Sequence, residues 1–288
     1  MNMNQQKRVA AIHDISCFGR CSLTAALPII SAAGVETSVI PTAVLSTHTG
    51  GFTDFTYRDL TEDISGIVNH WISLNLKFDA VYTGFLGSIE QIDIICETID
   101  RLRSDDTMII TDPAMADNGI LYKTFPQNFP KEMKRLCGKA DVIIPNITEA
   151  ALLLNERYED GPYTEEHIES MLTRLGNIGA KKIVLTGVHF NDHEVGAATY
   201  DAETENISYS FRERIPGNYH GTGDVFGSVL TAAMVTDIQL ERAAAVAVNF
   251  TAESIRRTYA AGTDTRFGVN FEEGLKDLSG LISEMIGN

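Results

Sequence analysis

The chain is expected to adopt an α/β fold built on a mostly parallel central sheet, and three observations lead to that expectation. Short apolar or β-branched runs alternate with amphipathic stretches of helical period along most of the sequence. Polar segments carrying glycine or carboxylate follow the strand ends, the edge at which open α/β sheets meet their ligands. The 288 residues, 44% hydrophobic and 22% charged, suffice for a full core. No internal repeat or low-complexity linker divides them, so residues 1–288 are expected to form one domain.

Val9 to Ile15 is an apolar run ending in His13-Asp14, and after Gly19 comes Ser22, the expected cap of an Ala/Leu helix reaching about Gly34. Asp14 is thus expected at the first strand's end, either facing a ligand or serving as an ordinary turn residue. Glu36 to Ile40 alternates as a strand. Pro41 to Phe52, with Ser46, Thr47, His48, Thr49 and two glycines, reads as a loop able to hydrogen-bond a small polar molecule, or as a plain surface loop. His48 lacks a second histidine three or four residues away, so no metal site is expected there. Asp59 to Leu76 has apolar residues at helical spacing, with Trp71 as packing. Ala80 to Leu86 is a strand, Ser88 caps a helix to about Arg103, and Thr107 to Thr111 is a buried strand.

That strand stops at Asp112-Pro113, and Asp117 follows five residues later. The pair can hold hydrated Mg²⁺ or a substrate group, or can simply be turn residues. Tyr122, among Gly119, Phe125, Pro126 and Pro130, reads as a loop that can serve as a lid. Ala140 to Pro145 is the next strand. Asn146 is a natural N-cap for a helix over Ala150 to Leu154, and Glu149 completes a capping box; the same carboxylate can organise Mg²⁺ through water. Thr164 caps a helix to about Asn177, Lys181 to Thr186 is a strand followed by Gly187, and Gly196–Tyr200 with Asn206–Phe211 forms an antiparallel edge hairpin. Helices over Gln239–Ala260 and Asn270–Ile286 close the chain.

The stretch with the most chemistry is His220-Gly221-Thr222-Gly223-Asp224, which opens an Ala-rich helix over Val225 to Val235. Two glycines let successive N–H groups converge, and the helix adds unpaired first-turn donors and the positive end of its dipole. Asp224 at the edge of such an anion hole is placed as a general base for phosphoryl transfer, or is an N-terminal acidic residue of the ordinary kind.

The formal charge of −16 argues against a nucleic-acid surface, although a nucleotide can still be held by backbone N–H groups and a metal. The four cysteines form no CxxC pair, and Met1 to Arg8 is polar, so a cytoplasmic protein without disulfides is expected. Three matches to the N-glycosylation pattern are read as chance, and no apolar run is long enough for a membrane span.

Neither a Walker A motif nor GxGxxG is present. The order Asp112-Pro113, Asn146-x-x-Glu149, Gly221-Thr222-Gly223-Asp224 resembles the ribokinase-like superfamily of small-molecule kinases. Leu45-Ser46-Thr47-His48-Thr49-Gly50 and Asp112-Pro113-Ala114-Met115-Ala116-Asp117 resemble its pyridoxal kinase branch, and the resemblance runs from about Val9 to Phe250. It implies a three-layer α/β/α fold and transfer of the ATP γ-phosphoryl group to the 5′-hydroxymethyl of pyridoxal, pyridoxine or pyridoxamine, with Mg²⁺ and room for a monovalent cation. By matching position, Asp224 would be the base and Gly221, Thr222 and Gly223 the anion hole. Asp117 and Glu149 would lie near Mg²⁺. Asp112, Asn146, Thr186, Gly187 and Thr222 would hold the nucleotide, Tyr122 would sit on the lid, and Asp14, Ser46 and Thr49 would face the acceptor. A homodimer is also implied, with Cys17, Phe18, Leu23 and Phe52 near the rim. The chain departs from the pattern at Asp14, where better-known pyridoxal kinases carry Ser. The related hydroxymethylpyrimidine kinases tend to carry Cys in place of Asp224. A sugar, nucleoside or hydroxymethylpyrimidine kinase, or a non-catalytic B6-binding protein, are the alternatives.

Overall fold

The computed structural model describes residues 6–286, so the first five residues of the polar start lie outside the described residues. The strands are β1 (Arg8–Phe18), β2 (Glu36–Thr47), β3 (Tyr57–Asp59), β4 (Ala80–Thr83), β5 (Met108–Thr111), β6 (Ala116–Asp117), β7 (Ile120–Leu121), β8 (Val142–Ile143), β9 (Lys182–Val188), β10 (Glu194–Asp201) and β11 (Asn206–Glu213). The helices are α1 (Leu23–Ala32), α2 (Thr61–Ser73), α3 (Ile89–Leu102), α4 (Phe129–Cys137), α5 (Ile147–Leu153), α6 (Glu165–Gly176), α7 (Thr222–Val235), α8 (Leu240–Ala261) and α9 (Leu275–Ile286).

Nine strands form one sheet in the order β11-β10-β9-β8-β5-β4-β1-β2-β3. It is parallel from β9 through β2, with antiparallel strands at both edges. Apolar residues of α2 to α6 pack on one face, and those of α1, α7, α8 and α9 on the other, giving the expected three layers. The central strands are buried on both sides, which is why they read as continuous apolar runs. Because β1 has β2 on one side and β4 on the other, the loops leaving these strands diverge at their C-terminal ends and open a crevice.

Helix α7 is buried from Val225 to Val235, so it is apolar all round rather than amphipathic. Close packing onto the sheet demands small residues: a Cβ at Gly227 would stand 2.3 Å from the Tyr82 hydroxyl.

Five expectations are corrected. The first strand does not end at Asp14 but continues to Phe18, and Asp14 sits at a slip in register between His13 and Ile15. At that slip the second strand accommodates Pro41 and runs on to Thr47, so the expected 41–52 loop shrinks to the residues after Thr47. Residues around Pro130 form α4, because a proline in the first turn removes an N–H that has no helical acceptor. Residues 116–121, expected as loop, form a two-stranded hairpin, and the C-terminal helix starts at Leu275, after two short 3₁₀ turns.

Candidate active site

The glycine turn expected to serve as an anion hole lies where α7 begins. Gly221 precedes the helix at φ 74°, and a Cβ there would lie 2.1 Å from the Arg20 carbonyl oxygen, so both conformation and space require glycine. The first turn leaves the N–H groups of Thr222 and Gly223 without helical acceptors, pointing the positive end of α7 at the crevice. Asp224 stands in the same turn. Burial pushes its carboxyl up to about 7 and the Asp14 charge adds to the rise, while a hydrogen bond from the Ser22 backbone opposes it.

A second group of carboxylates approaches from the ends of β5 and β8. Asp112 follows β5, its N–H donating to the Thr83 carbonyl at 2.8 Å, and burial together with the Asp224 charge raises its pKa. The Asn146 side chain accepts the Glu149 N–H at 2.9 Å, and Glu149 Oε2 accepts the Asn146 N–H at 2.9 Å, so the expected capping box is present. Glu149 Oε1 takes the Met115 N–H at 3.0 Å, and Asn146 Nδ2 donates to the Ala116 carbonyl at 2.9 Å, tying α5 to the segment after β5. Burial and the Asp112 charge raise the Glu149 pKa, and these backbone donors oppose the rise. Asp117 is exposed on β6, its carboxylate held by the Asn118 N–H and side-chain amide at 2.9 and 3.0 Å.

A cleft of about 440 Å³ brings together Asp112, Asp117, Tyr122, Asn146, Glu149, Thr186, Gly187 and the Gly221–Asp224 turn. Tyr122 follows β7, half-buried against Phe125 at 6.1 Å between ring centroids. Thr186 lies inside β9 as expected, Gly187 lies inside it too rather than after it, and Gly187 takes φ 79°.

Asp14, Ser46 and Thr49 do not line this cleft. Asp14, 4% exposed, accepts the Ser16 hydroxyl at 3.1 Å and a hydrogen bond from the Ser22 side chain. Ser22 therefore precedes α1 without capping it through its side chain, contrary to expectation. Burial raises the Asp14 pKa. Ser46 turns its oxygen to the Thr56 N–H at 2.9 Å, and Thr49 is half-buried in the turn after β2. That turn is closed down: His48 Nε2 donates to the Arg266 carbonyl at 2.6 Å, and its Nδ1 accepts the Gly50 N–H at 3.1 Å. Asp14 is near enough to Asp224 for its charge to act on that carboxyl, although it does not line the cleft. Of the residues expected at an interface, Leu23 is buried with 4% exposure and is corrected as core; Cys17 and Phe18 are exposed and Phe52 is half-buried.

Sequence reasoning missed the far wall of the cleft. Arg212, Arg214, Ile215 and Tyr219 line it together with Val248, Thr251 and Ile255 of α8. The α8 residues carry only a helical period, and nothing in it distinguishes a cleft wall from core. His13, named at the end of the first apolar run, is fully buried against Tyr82, 4.5 Å between ring centroids, and burial lowers its pKa to about 3.

Among the described residues no three His, Cys, Asp or Glu side chains converge as a metal cluster, and no helix is long and apolar enough to cross a membrane. Mg²⁺ usually keeps several waters and one or two carboxylates, a requirement that exposed Asp117 beside backbone-bound Glu149 can meet.

The sequence pattern of the phosphomethylpyrimidine kinase family matches residues 19–268. The chain is 38% identical to a Bacteroides thetaiotaomicron VPI-5482 protein described as a candidate phosphomethylpyrimidine kinase and crystallised with pyridoxal, with a TM-score of 0.91 over 95% of this chain and 96% of that one. It is 30% identical to pyridoxal kinase from Lactobacillus plantarum, with a TM-score of 0.87 over 98% and 99% of the two chains. Pyridoxine kinase of Bacillus subtilis (strain 168) is 27% identical over 190 residues, 65% of this chain and 68% of that protein.

Proposed function

Since the chain belongs to the phosphomethylpyrimidine kinase family and is a ribokinase-like kinase, we propose that it phosphorylates the 5′-hydroxymethyl group of a B6 vitamer with ATP as donor. The observation that carries the reading is the place of Asp224 in the first turn of α7, directly after the left-handed Gly221, where burial raises its pKa to about 7. In the ionised state it accepts the proton of the acceptor hydroxyl as that oxygen bonds to the γ-phosphorus and the bond from phosphorus to the ADP oxygen breaks. The Thr222 and Gly223 N–H groups and the α7 dipole stabilise the negative charge on the transferring group, and being fixed by the Gly221 turn they need no reorganisation. Asp112, Asn146, Thr186 and Gly187 hold the nucleotide side, and Tyr122 covers the cleft. Asp117 directly, and Glu149 through water, would hold Mg²⁺, which when bound neutralises charge on the donor phosphates.

The acceptor is a vitamer in this reading because the 38% identical Bacteroides protein was crystallised with pyridoxal and the 30% identical Lactobacillus protein is a pyridoxal kinase. In this reading the buried Asp14, whose charge acts on Asp224, favours a protonated ring nitrogen, and Ser46 and Thr49 at the end of β2 and in the turn after it complete the acceptor side. Ranking pyridoxal, pyridoxine, pyridoxamine, hydroxymethylpyrimidine, ribose and adenosine by kcat/KM tests the assignment. A vitamer should lead the ranking, whereas a hydroxymethylpyrimidine that outranks all three would overturn the acceptor class. ATP consumption without vitamer phosphorylation would instead favour a binding role. The reading includes a homodimer: Phe18, 52% exposed, stacks edge-on with Phe267 at 5.0 Å and supplies an apolar rim.

A further inference from the structure

The cleft is rich in carboxylates, which poses a problem for a donor that is itself highly anionic. Asp112, Asp117, Glu149, Glu213 and Asp224 line it, and among the described residues Arg212 and Arg214 are the only Lys or Arg side chains that do. The two arginines are not equivalent. Arg212 is committed to the protein, its Nε donating to the Asn249 side chain at 3.0 Å and a terminal nitrogen to the Phe211 carbonyl at 2.8 Å. Arg214 has its backbone anchored, its N–H donating to the His193 carbonyl at 2.8 Å. Its exposed guanidinium has no hydrogen-bond or ion-pair partner among the described residues. A planar fork of donors on a fixed backbone in a cleft that five carboxylates also line suits bidentate binding of phosphate oxygens.

We propose that Arg214 contacts the phosphate chain of the nucleotide donor and sets the preference of the cleft for di- and triphosphates over the bare nucleoside. The proposal rests on the reading of the cleft as an ATP site. Arg214 belongs to neither the anion hole nor the carboxylate group, and it acts on donor affinity rather than on proton transfer.

Calorimetric titration of ATP, ADP and adenosine into the wild-type protein and into Arg214→Gln and Arg214→Lys, at low and at physiological salt, tests it. In Arg214→Gln, ATP and ADP should bind about five- to tenfold more weakly with adenosine unchanged, and the wild type should lose more ATP affinity with salt than the variant. Arg214→Lys should recover part of the loss, because a point charge replaces a fork. Equal weakening of ATP and adenosine, or no weakening of either, would overturn the proposal. Wild-type protein that binds no ATP would overturn the reading of the cleft itself, and this inference with it.

Discussion

Asn146 and Glu149 satisfy each other's backbone, each side chain accepting the other's N–H at 2.9 Å, while the second Glu149 oxygen takes the Met115 N–H at 3.0 Å. A capping box that ordinarily only starts a helix here also clamps the segment leading from Asp112 to Asp117. Replacing Glu149 by Ala leaves the Met115 and Asn146 donors unsatisfied in a buried site and should cost about 1–3 kcal/mol. Urea unfolding measures that cost, and the Mg²⁺ concentration for half-maximal activity should rise in the same variant. An unchanged unfolding midpoint would show that water replaces the carboxylate freely.

Asp224→Ala should lower kcat by about 10²–10⁴ while ATP affinity stays near wild type, as loss of a general base does. Near-normal turnover would remove Asp224 from the mechanism.

The pH behaviour of Asp224 follows from the same burial. In the proposed role of base it would work ionised, so kcat/KM should climb as pH passes through about 7. Its folded-state pKa lies above the unfolded value of 3.8, so its contribution to stability is fully present below 3.8 and is lost as pH rises through about 7. Asp224→Asn, which cannot ionise, should therefore be more stable than wild type at pH 8. The difference should shrink toward pH 4. Thermal melts of both proteins across this range would show the convergence, and parallel curves would contradict it.

Gly221 and Gly223 should respond oppositely to alanine. At Gly221 a Cβ meets the Arg20 carbonyl at 2.1 Å and the backbone is left-handed, so Gly221→Ala should lower Tm and abolish most activity. At Gly223 nothing lies within 4 Å of a new Cβ, so folding should be unharmed or gain about 0.5–1 kcal/mol from helix propensity. Comparing Tm with kcat for the two variants separates the fold of the turn from its use as an anion hole.

Asp14→Ser should reorder vitamer preference and shift the pH dependence of the vitamer KM, with little change in the KM for ATP, because a hydroxyl cannot stabilise a protonated ring as a carboxylate does. The hydrogen bonds from Ser16 and Ser22 show that Asp14 also braces the loop before α1, and their loss should lower stability by about 1 kcal/mol. A lowered Tm with unchanged vitamer ranking would leave Asp14 the bracing role alone. In the same preparations, sedimentation at micromolar concentration should give twice the 31.6 kDa chain mass; a monomer would end the homodimer reading.

Local chemistry made much of this protein legible in the residue order. Strand and helix periods, the Ser88 and Thr164 caps, the Asn146–Glu149 box and the Gly221–Asp224 turn depend on neighbours within a few positions, and each stands where the pattern puts it. The parallel sheet follows as well, because buried central strands must be apolar on both faces. Other features depend on contacts between distant segments. Pro41 stays in a strand because β1 slips its register beside it, and Ser22 gives its hydroxyl to Asp14 instead of capping α1. Gly221 is required by the Arg20 carbonyl, some 200 residues away in the chain, a contact the Gly-Thr-Gly motif does not reveal. The raised pKa of Asp224 and the free guanidinium of Arg214 were likewise decided only in three dimensions. Burial and partners are properties of the assembled sheet edge, where segments from β1, β5, β8, β11 and α7 meet, and no local pattern encodes how closely they approach.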